Sequence, residues 1–300
     1  MFVPIKTGDG SNTFYSETFG EWFHSKEGAR NEAQKTYIEA SCLAQRVRSQ
    51  EPTQSLKILD ICYGLGYNTA AALETIFQTN PNAKVEIIGL EIDIEVARSA
   101  IAQNLTNAYS HDTQKILQHL AENNQVDSNK NWPHLRAQLS LGDARQQIQP
   151  LIAQNWLADI IFLDPFSPPH CPQLWTVEFL AKVAQCLNPN NGVLVTYSCA
   201  AAVRSALKLA GLSIGSTHAG GRKWPGTIAT YRPTQLPPLS QQEKEHLHTR
   251  AAVPYRDPTL TDTAKEILAR RLKEQSTSKL LPTQPWRRRW KEHQQSSQKV

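Results

Sequence analysis

The sequence has little cysteine and no long apolar run. Its five cysteines among 300 residues form no CxxC pair, so neither a structural disulfide nor any metal site, zinc included, is expected. No apolar run approaches the roughly 20 residues that span a bilayer, and we expect no membrane partner. The N-terminus lacks a basic segment followed by an apolar stretch, which favours a cytoplasmic location over secretion.

The excess positive charge is concentrated at one end of the chain. The formal net charge is +5, and residues 286–300 hold five Lys or Arg against one Glu, which is four of the five charges. The body is therefore nearly neutral, and a polyanion would be bound by local basic patches and this tail. A solvated tail explains the run WRRRW equally well.

Apolar runs alternate with helix-like segments from Leu56 onward, a pattern typical of a parallel sheet covered by helices on both faces. Seven runs have strand character, and they are 56–61, 85–92, 135–141, 158–164, 192–198, 213–219 and 227–232. A short Gly-rich connection joins the last two, which predicts an antiparallel hairpin. The sequence thus predicts an α/β fold with a Rossmann-like, doubly wound sheet of seven strands.

Composition divides the chain into three parts. Residues 1–55 form an N-terminal segment with an amphipathic helix over residues 28–50, and we expect them to cap the site. Residues 56–232 are the predicted core. Residues 233–300 form a helical and irregular C-terminal arm, with a Pro-rich linker, a helix at 262–274 and the basic tail. Thr263 and Glu266 fit a capping box for that helix.

The stretch KILDICYGLGYNT, residues 57–69, places two glycines directly after an apolar strand. Glycine has no Cβ atom, so the backbone can approach a bound ligand there. Thr69 occupies the place of the third small residue in a dinucleotide fingerprint, and Glu91 follows later than its acid, which disfavours NAD and FAD. No Gly-Lys-Ser/Thr follows, which excludes a Walker loop. A bland strand-to-helix turn is the alternative.

Asp60, Cys62, Gly64 and Gly66 stand at alternate positions, and in this they resemble the first motif of class I S-adenosylmethionine (SAM) methyltransferases. Cys62 stands where a glycine is commoner. In that family the glycine loop passes close to the methionine part of the cofactor. The resemblance implies that SAM is the methyl donor.

Acidic residues end the next three predicted strands. Glu91, Asp143 and Asp164 follow the second, third and fourth strands, and ligands of open α/β sheets bind beyond these ends. By resemblance, Glu91 accepts hydrogen bonds from ribose hydroxyls and Asp143 takes the adenine amino group. Each acid alone could cap a helix or a turn. The implied cofactor-binding residues are Asp60, Gly64, Gly66, Asn68, Glu91, Asp143, Ala144 and Asp164.

The segment DPFSPP, residues 164–169, is similar to the Asp-Pro-Pro-aromatic loops of amine-directed methyltransferases. Methyl transfer from a sulfonium is an in-line displacement, so the enzyme aligns a neutral nucleophile and shields it from water. Asp164 and the backbone carbonyls of Pro165 and Phe166 could hold the amine N–H groups, and Asp164 could accept the proton. A Pro-rich turn with a capping Asp is the alternative.

Seven segments, from FYSETFGEWFHSKEGARNEAQKTYI to GGRKWPGTIATY, resemble the MnmC methyltransferase domain in order and spacing over roughly residues 8–232. That family acts in 5-methylaminomethyl-2-thiouridine synthesis in tRNA. The resemblance implies methylation of the aminomethyl amine on the wobble uridine, in the tRNA anticodon region, with Asp164 as the catalytic residue. It also implies a set of substrate-binding residues, which are Tyr15, Ser25, Glu32, Phe166, Trp175, Arg222 and Lys223.

Two departures from the family affect the substrate prediction. The FAD-dependent oxidase half has no counterpart here, so a separate enzyme would supply the aminomethyl precursor. In addition, Pro165 stands where small residues are commoner in the family. An aminopropyltransferase on the same fold, a protein that holds SAM without turnover, and methylation of a protein or metabolite are alternative functions. Trp175 could be an ordinary buried aromatic, and Arg222 and Lys223 could contact only water.

Overall fold

A computed structural model describes residues 2–217 and 224–297 of the chain. Arg222 and Lys223, predicted to bind substrate, lie outside these residues. Four two-residue strands pair as antiparallel hairpins at the N-terminus, and they are β1 (Ile5–Lys6), β2 (Asn12–Thr13), β3 (Tyr15–Ser16) and β4 (Glu21–Trp22). No helix in the described ranges is long and apolar enough to cross a membrane.

The amphipathic helix predicted over residues 28–50 is interrupted. Its parts are α1 (Ala29–Glu32), a π-helical segment (Ala33–Glu39) and α2 (Leu43–Arg48). Cys42 adopts φ +54°, a left-handed conformation that a right-handed helix cannot contain. The prediction of one continuous helix is therefore wrong at this point. The apolar spacing survives the break, because Tyr37, Leu43 and Val47 are all buried.

Within the described residues, eight strands form the central sheet. In chain order they are β5 (Leu56–Ile61), β6 (Val85–Glu91), β7 (Gln125–Val126), β8 (Leu135–Leu141), β9 (Ile160–Leu163), β10 (Val193–Thr196), β11 (Ser213–Ser216) and β12 (Thr227–Thr230). Their spatial order is β11-β12-β10-β9-β5-β6-β8-β7. The five strands from β8 to β10 in this order are mutually parallel, which confirms the predicted α/β class.

Two details of the sheet differ from or extend the prediction. The eighth strand, β7, is a two-residue edge strand antiparallel to β8, too short to produce an apolar run. The last two strands are antiparallel to each other as predicted, and β12 inserts between β10 and β11.

Helices cover both faces of the sheet. They are α3 (Tyr67–Thr79), α4 (Ile94–Ala102), α5 (His111–Asn123), α6 (Ala144–Ala153), α7 (Val177–Gln185) and α8 (Ala201–Leu209). Successive strand residues point to opposite faces, so Ile58 packs in the core beneath α3 and α5 while Leu59 packs in the core beneath α6 to α8. Both faces of the central strands are buried, which explains their near-continuous apolar runs.

The C-terminal arm packs on the second of these cores. Its helices are α9 (Gln241–His246), α10 (Ala264–Thr277) and α11 (Thr283–Ser297). The capping box predicted for Thr263 and Glu266 is present at the start of α10. Tyr255 and Ile267 are buried in the core that also holds α6 to α8. This part of the arm therefore forms a continuous structure with the sheet.

The chain changes direction at the centre of the sheet. From β5 it proceeds to β6 and β8 on one side, and later from β9 to β10 on the other. The connections above β5 and β9 therefore diverge and leave a crevice at their carboxyl ends, where open α/β sheets bind their ligands.

Candidate active site

A cavity of about 940 Å³ lies at this crevice. Its wall includes Gly64, Glu91, Asp143 and Asp164, the four strand-end residues that the sequence predicts to share one site. Residues of the hairpin of β3 and β4 also line it. A cavity of this size is typical of a site for a small-molecule ligand or cofactor.

Glu91 connects the glycine loop to the end of β6. Its side chain is buried, and its two carboxylate oxygens accept N–H bonds from Gly64 at 2.7 Å and from Asp93 at 2.9 Å. Burial raises the pKa of Glu91, and these backbone donors counteract the shift. A carboxylate offers about four acceptor positions, so Glu91 keeps capacity for hydroxyl groups in the cavity.

The glycine loop needs positive φ angles at three places. Cys62 adopts φ +69° and lines the cavity, which explains why glycine suits this position. Gly66 is the N-cap residue of α3 at φ +82°, and a Cβ atom there would come within 2.7 Å of the Tyr63 hydroxyl oxygen. Gly64, also at positive φ, lines the cavity directly.

Three of the predicted cofactor-binding residues stand behind the cavity wall. Asp60, Gly66 and Asn68 are not among the lining residues. Asp60 is fully buried, and one oxygen accepts the Thr69 hydroxyl at 2.7 Å while the other has no hydrogen-bond partner among the described residues. Burial raises the pKa of Asp60 to about 7.

Asp143 lines the cavity as one partner of an ion pair. It caps α6 by accepting the backbone N–H of Arg145 at 2.9 Å, and the Arg145 guanidinium lies 2.7 Å from its Oδ2. Its side chain remains 28% exposed beside Ala144, which also lines the cavity. Sequence reasoning missed Arg145, although it stands in the same LGDAR segment.

Asp164 follows β9 directly, and its side chain is partly buried. Its Oδ2 accepts the Asn68 amide at 2.8 Å. Burial raises the pKa of Asp164 well above its usual range, and the charge of Glu32 adds to the shift. The Tyr37 phenol lies close enough to lower the pKa of Asp164, although the Tyr37 hydroxyl makes no hydrogen bond to any described residue. This environment favours a carboxyl that gains a proton readily.

The backbone carbonyls after Asp164 are held by two aromatic side chains. Tyr197 donates its hydroxyl to the Pro165 carbonyl at 2.9 Å, and the Trp175 indole donates to the Phe166 carbonyl at 2.8 Å. Trp175 is fully buried and does not line the cavity, so it fixes the loop from behind. Each carbonyl has a second lone pair, which leaves one acceptor position for a substrate.

The β3–β4 hairpin closes over this loop. Phe19 stacks on Phe166 with ring centroids 4.5 Å apart, and Phe23 meets the same ring at 4.9 Å. The Ser167 backbone N–H donates to the Glu21 carboxylate at 2.8 Å. These contacts hold the hairpin against the loop that follows Asp164.

The N-terminal residues predicted to bind substrate all line the cavity. They are Tyr15, Ser25 and Glu32. The Ser25 backbone N–H donates to Glu32 at 3.1 Å, and Tyr15 is 42% exposed at the cavity mouth. Several lining residues were not singled out from the sequence, and they include Phe23, Ile92, Cys171, Leu174 and Tyr197. In the described part of the chain, no cluster of three or more His, Cys, Asp or Glu could hold a metal ion.

Comparison with known proteins gives a consistent result. The family described as S-adenosyl-L-methionine-dependent methyltransferase matches residues 103–232. The crystal structure of MnmC2 from Aquifex aeolicus is 31% identical, with a TM-score of 0.78 over 93% of this chain and 86% of that chain. An uncharacterized protein of Methanocaldococcus jannaschii is 30% identical over 269 residues, which cover 89% of this chain and 70% of that protein.

Longer proteins also match. The tRNA 5-methylaminomethyl-2-thiouridine biosynthesis bifunctional protein MnmC of Cupriavidus necator is 27% identical over 262 residues. The match covers 81% of this chain but 37% of that protein. The chain thus spans about a third of the length of the bifunctional proteins that it matches.

Proposed function

Because the chain belongs to the MnmC-type family of S-adenosyl-L-methionine-dependent methyltransferases, with SAM as methyl donor, we propose that its acceptor is the aminomethyl group of the wobble uridine in tRNA. The product would be 5-methylaminomethyluridine, with or without the 2-thio group. The observation that carries this proposal is the carboxyl of Asp164, which lines the cavity together with Pro165 and Phe166, whose carbonyls are held in place.

The other side of the cavity fits the methyl donor. Glu91 presents a carboxylate that is already oriented by two backbone N–H groups, which suits a pair of ribose hydroxyls. Asp143 faces the cavity with an accessible edge, which suits an amino group on a purine. When bound, SAM supplies a methyl group on a positively charged sulfur. Gly64 leaves the backbone open to the rest of that molecule.

Asp164 and its loop orient the amine. The transfer forms one N–C bond, breaks one S–C bond and releases one proton from nitrogen. The Pro165 and Phe166 carbonyls, fixed by Tyr197 and Trp175, can each accept one amine N–H. Asp164 accepts the released proton, and its raised pKa makes it a stronger acceptor than an ordinary carboxylate.

The identity of the acceptor is supported by the relatives. The bifunctional proteins are named for tRNA 5-methylaminomethyl-2-thiouridine biosynthesis, and the proposed partner is accordingly the anticodon region of tRNA. A separate enzyme would supply the aminomethyl group, and this activity belongs in the cytoplasm, where tRNA is modified. Arg222 and Lys223 remain candidates for contacts with tRNA phosphates.

The test is mass spectrometry of nucleosides after incubation with labelled SAM and tRNA that carries 5-aminomethyluridine. We expect a gain of one methyl on that uridine, none on tRNA with unmodified uridine, and little with Asp164→Asn. Putrescine and spermidine are tested in parallel. Methylation of a polyamine but not of tRNA, or no transfer to tRNA by protein that binds SAM, would refute the proposed acceptor and leave the methyl-donor site intact.

A further inference from the structure

One arginine joins the C-terminal arm to the methyl-donor side of the cavity. Arg145 pairs with Asp143 through Nη2 at 2.7 Å and with Asp257 through Nη1 at 2.9 Å. The same Nη1 donates to the Asp262 carbonyl at 3.0 Å. Arg145 and Asp257 are 112 residues apart in sequence, so only the fold brings both carboxylates to one guanidinium. We call this arrangement the Arg145 bridge.

Asp257 is committed to the bridge. Its side chain is fully buried, and its Oδ1 accepts the backbone N–H groups of Thr261 and Asp262 at 3.2 Å. Arg145 supplies the countercharge for Oδ2. A carboxylate at this depth without a cation would be strongly unfavourable, so this turn of the arm and the start of α6 require each other.

The bridge also controls Asp143. The guanidinium of Arg145 is planar, and its Nε and Nη2 contact both oxygens of Asp143 at 2.7 to 3.2 Å. Its remaining nitrogen is fixed by Asp257. Because the guanidinium is rigid, anchoring Nη1 also fixes the plane in which Nε and Nη2 contact Asp143. The orientation in which Asp143 and Arg145 line the cavity is therefore set by a residue of the arm.

We propose that Asp257 is a positioning residue of the methyl-donor site, acting through Arg145 on Asp143. The C-terminal arm then completes the subsite for the purine amino group. The inference rests on the cavity being the methyl-donor site and on Asp143 facing the purine. It does not depend on the acceptor, so it can be tested by binding alone.

The decisive variant is Asp257→Asn, which keeps the shape but removes one charge from the bridge. Calorimetric titration of the full chain with SAM is expected to show about tenfold weaker binding. S-adenosylhomocysteine and its analogue lacking the 6-amino group provide the specific readout. The unaltered protein should prefer the amino compound, and Asp257→Asn should lose most of that preference, because Asp143 no longer holds its orientation.

Glu178→Gln is the matched control. Glu178 accepts the Asp257 backbone N–H at 2.8 Å and pairs with Arg256 at 2.7 Å, so it anchors the same turn without touching Arg145. It should lower the melting temperature without changing the preference for the 6-amino group. Unchanged SAM binding in Asp257→Asn would overturn the proposal. The proposal would also be overturned if Asp257→Asn and Glu178→Gln both weakened the binding of the two compounds equally. The turn would then act only through the stability of the protein.

Discussion

The two sides of the cavity treat their carboxyl groups differently. On the donor side, Glu91 accepts two backbone N–H groups and Asp143 pairs with Arg145. On the acceptor side, Asp164 is partly buried near Glu32, and it accepts a hydrogen bond from the uncharged amide of Asn68. No ion pair of Asp164 is present in the described ranges 2–217 and 224–297. Similar positions at strand ends thus carry different electrostatic environments.

This difference indicates two kinds of chemistry in one crevice. A carboxyl group that fixed donors orient can bind neutral hydroxyl or amino groups through its remaining acceptor positions. A carboxyl whose pKa is strongly raised by loss of solvation holds a proton more readily than an ordinary carboxyl. The donor side is therefore suited to hold a ligand, and the acceptor side to take a proton from one. Substitutions on the two sides of the cavity test this division.

Asp164→Asn should separate the two sides most sharply. The amide keeps the shape of the carboxyl and its place beside Asn68, but it cannot accept a proton. We expect turnover at neutral pH to fall about 100- to 1,000-fold, with the Kd for SAM changed less than about threefold. Single-turnover kinetics and calorimetric titration measure the two quantities.

The control for this prediction is Glu17→Gln, which removes a carboxylate from the mouth of the same cavity. It should retain turnover within about twofold. If both variants lost turnover to the same extent, general electrostatic attraction would explain the effect and Asp164 would have no special role.

Asp60 lies behind the cavity wall, and we predict that it lowers the free energy of unfolding at high pH. Its pKa is about 7 in the folded protein, against about 3.9 unfolded. Folding therefore favours the neutral carboxyl. The contribution of Asp60 to the free energy of unfolding is complete below pH 4 and is lost as the pH rises through 7.

The variant Asp60→Asn has no such loss. Relative to wild type, its free energy of unfolding should gain about 2–4 kcal/mol between pH 4 and 8. Urea unfolding across that range measures it, with exposed Asp127→Asn as control. A pH-independent difference would contradict the assignment.

Glu91→Gln should affect the donor side alone. The amide nitrogen would face a backbone N–H of Gly64 or Asp93, and one of these bonds would be lost. We expect the Kd for SAM to rise about tenfold, which is about 1.4 kcal/mol, and turnover at saturating SAM to stay within about twofold. Asp93→Asn, which keeps a capping side chain at the start of α4, should change the Kd little. A fall in turnover at saturating SAM would mean that the two sides are not independent.

Local patterns in the sequence were sufficient to predict the frame of the site. Strand ends are visible where an apolar run stops, so Glu91, Asp143 and Asp164 could be assigned to one crevice from the sequence alone. The parallel sheet and the capping box at Thr263 and Glu266 are likewise local features, and both are present.

The environments of those residues were not predictable in the same way. Asp257 approaches Arg145 across 112 residues, and Tyr197 reaches Pro165 across 32. Such contacts depend on how whole elements pack, and apolar periodicity does not encode which arm covers which helix. The break at Cys42 also escaped prediction, because the apolar spacing continues on both sides of it.

The smallest effect is expected at the hairpin that closes the acceptor side. Glu21→Gln keeps an acceptor for the Ser167 N–H but loses the charge that strengthens this bond. We expect the KM for the acceptor to rise about threefold, a change of less than about 1 kcal/mol, with the Kd for SAM unchanged. Glu17→Gln on the same hairpin should change neither. A parallel rise in the Kd for SAM would show that the hairpin closes both sides of the cavity together. The binding side and the proton-accepting side would then differ in their chemistry but not in their access to solvent.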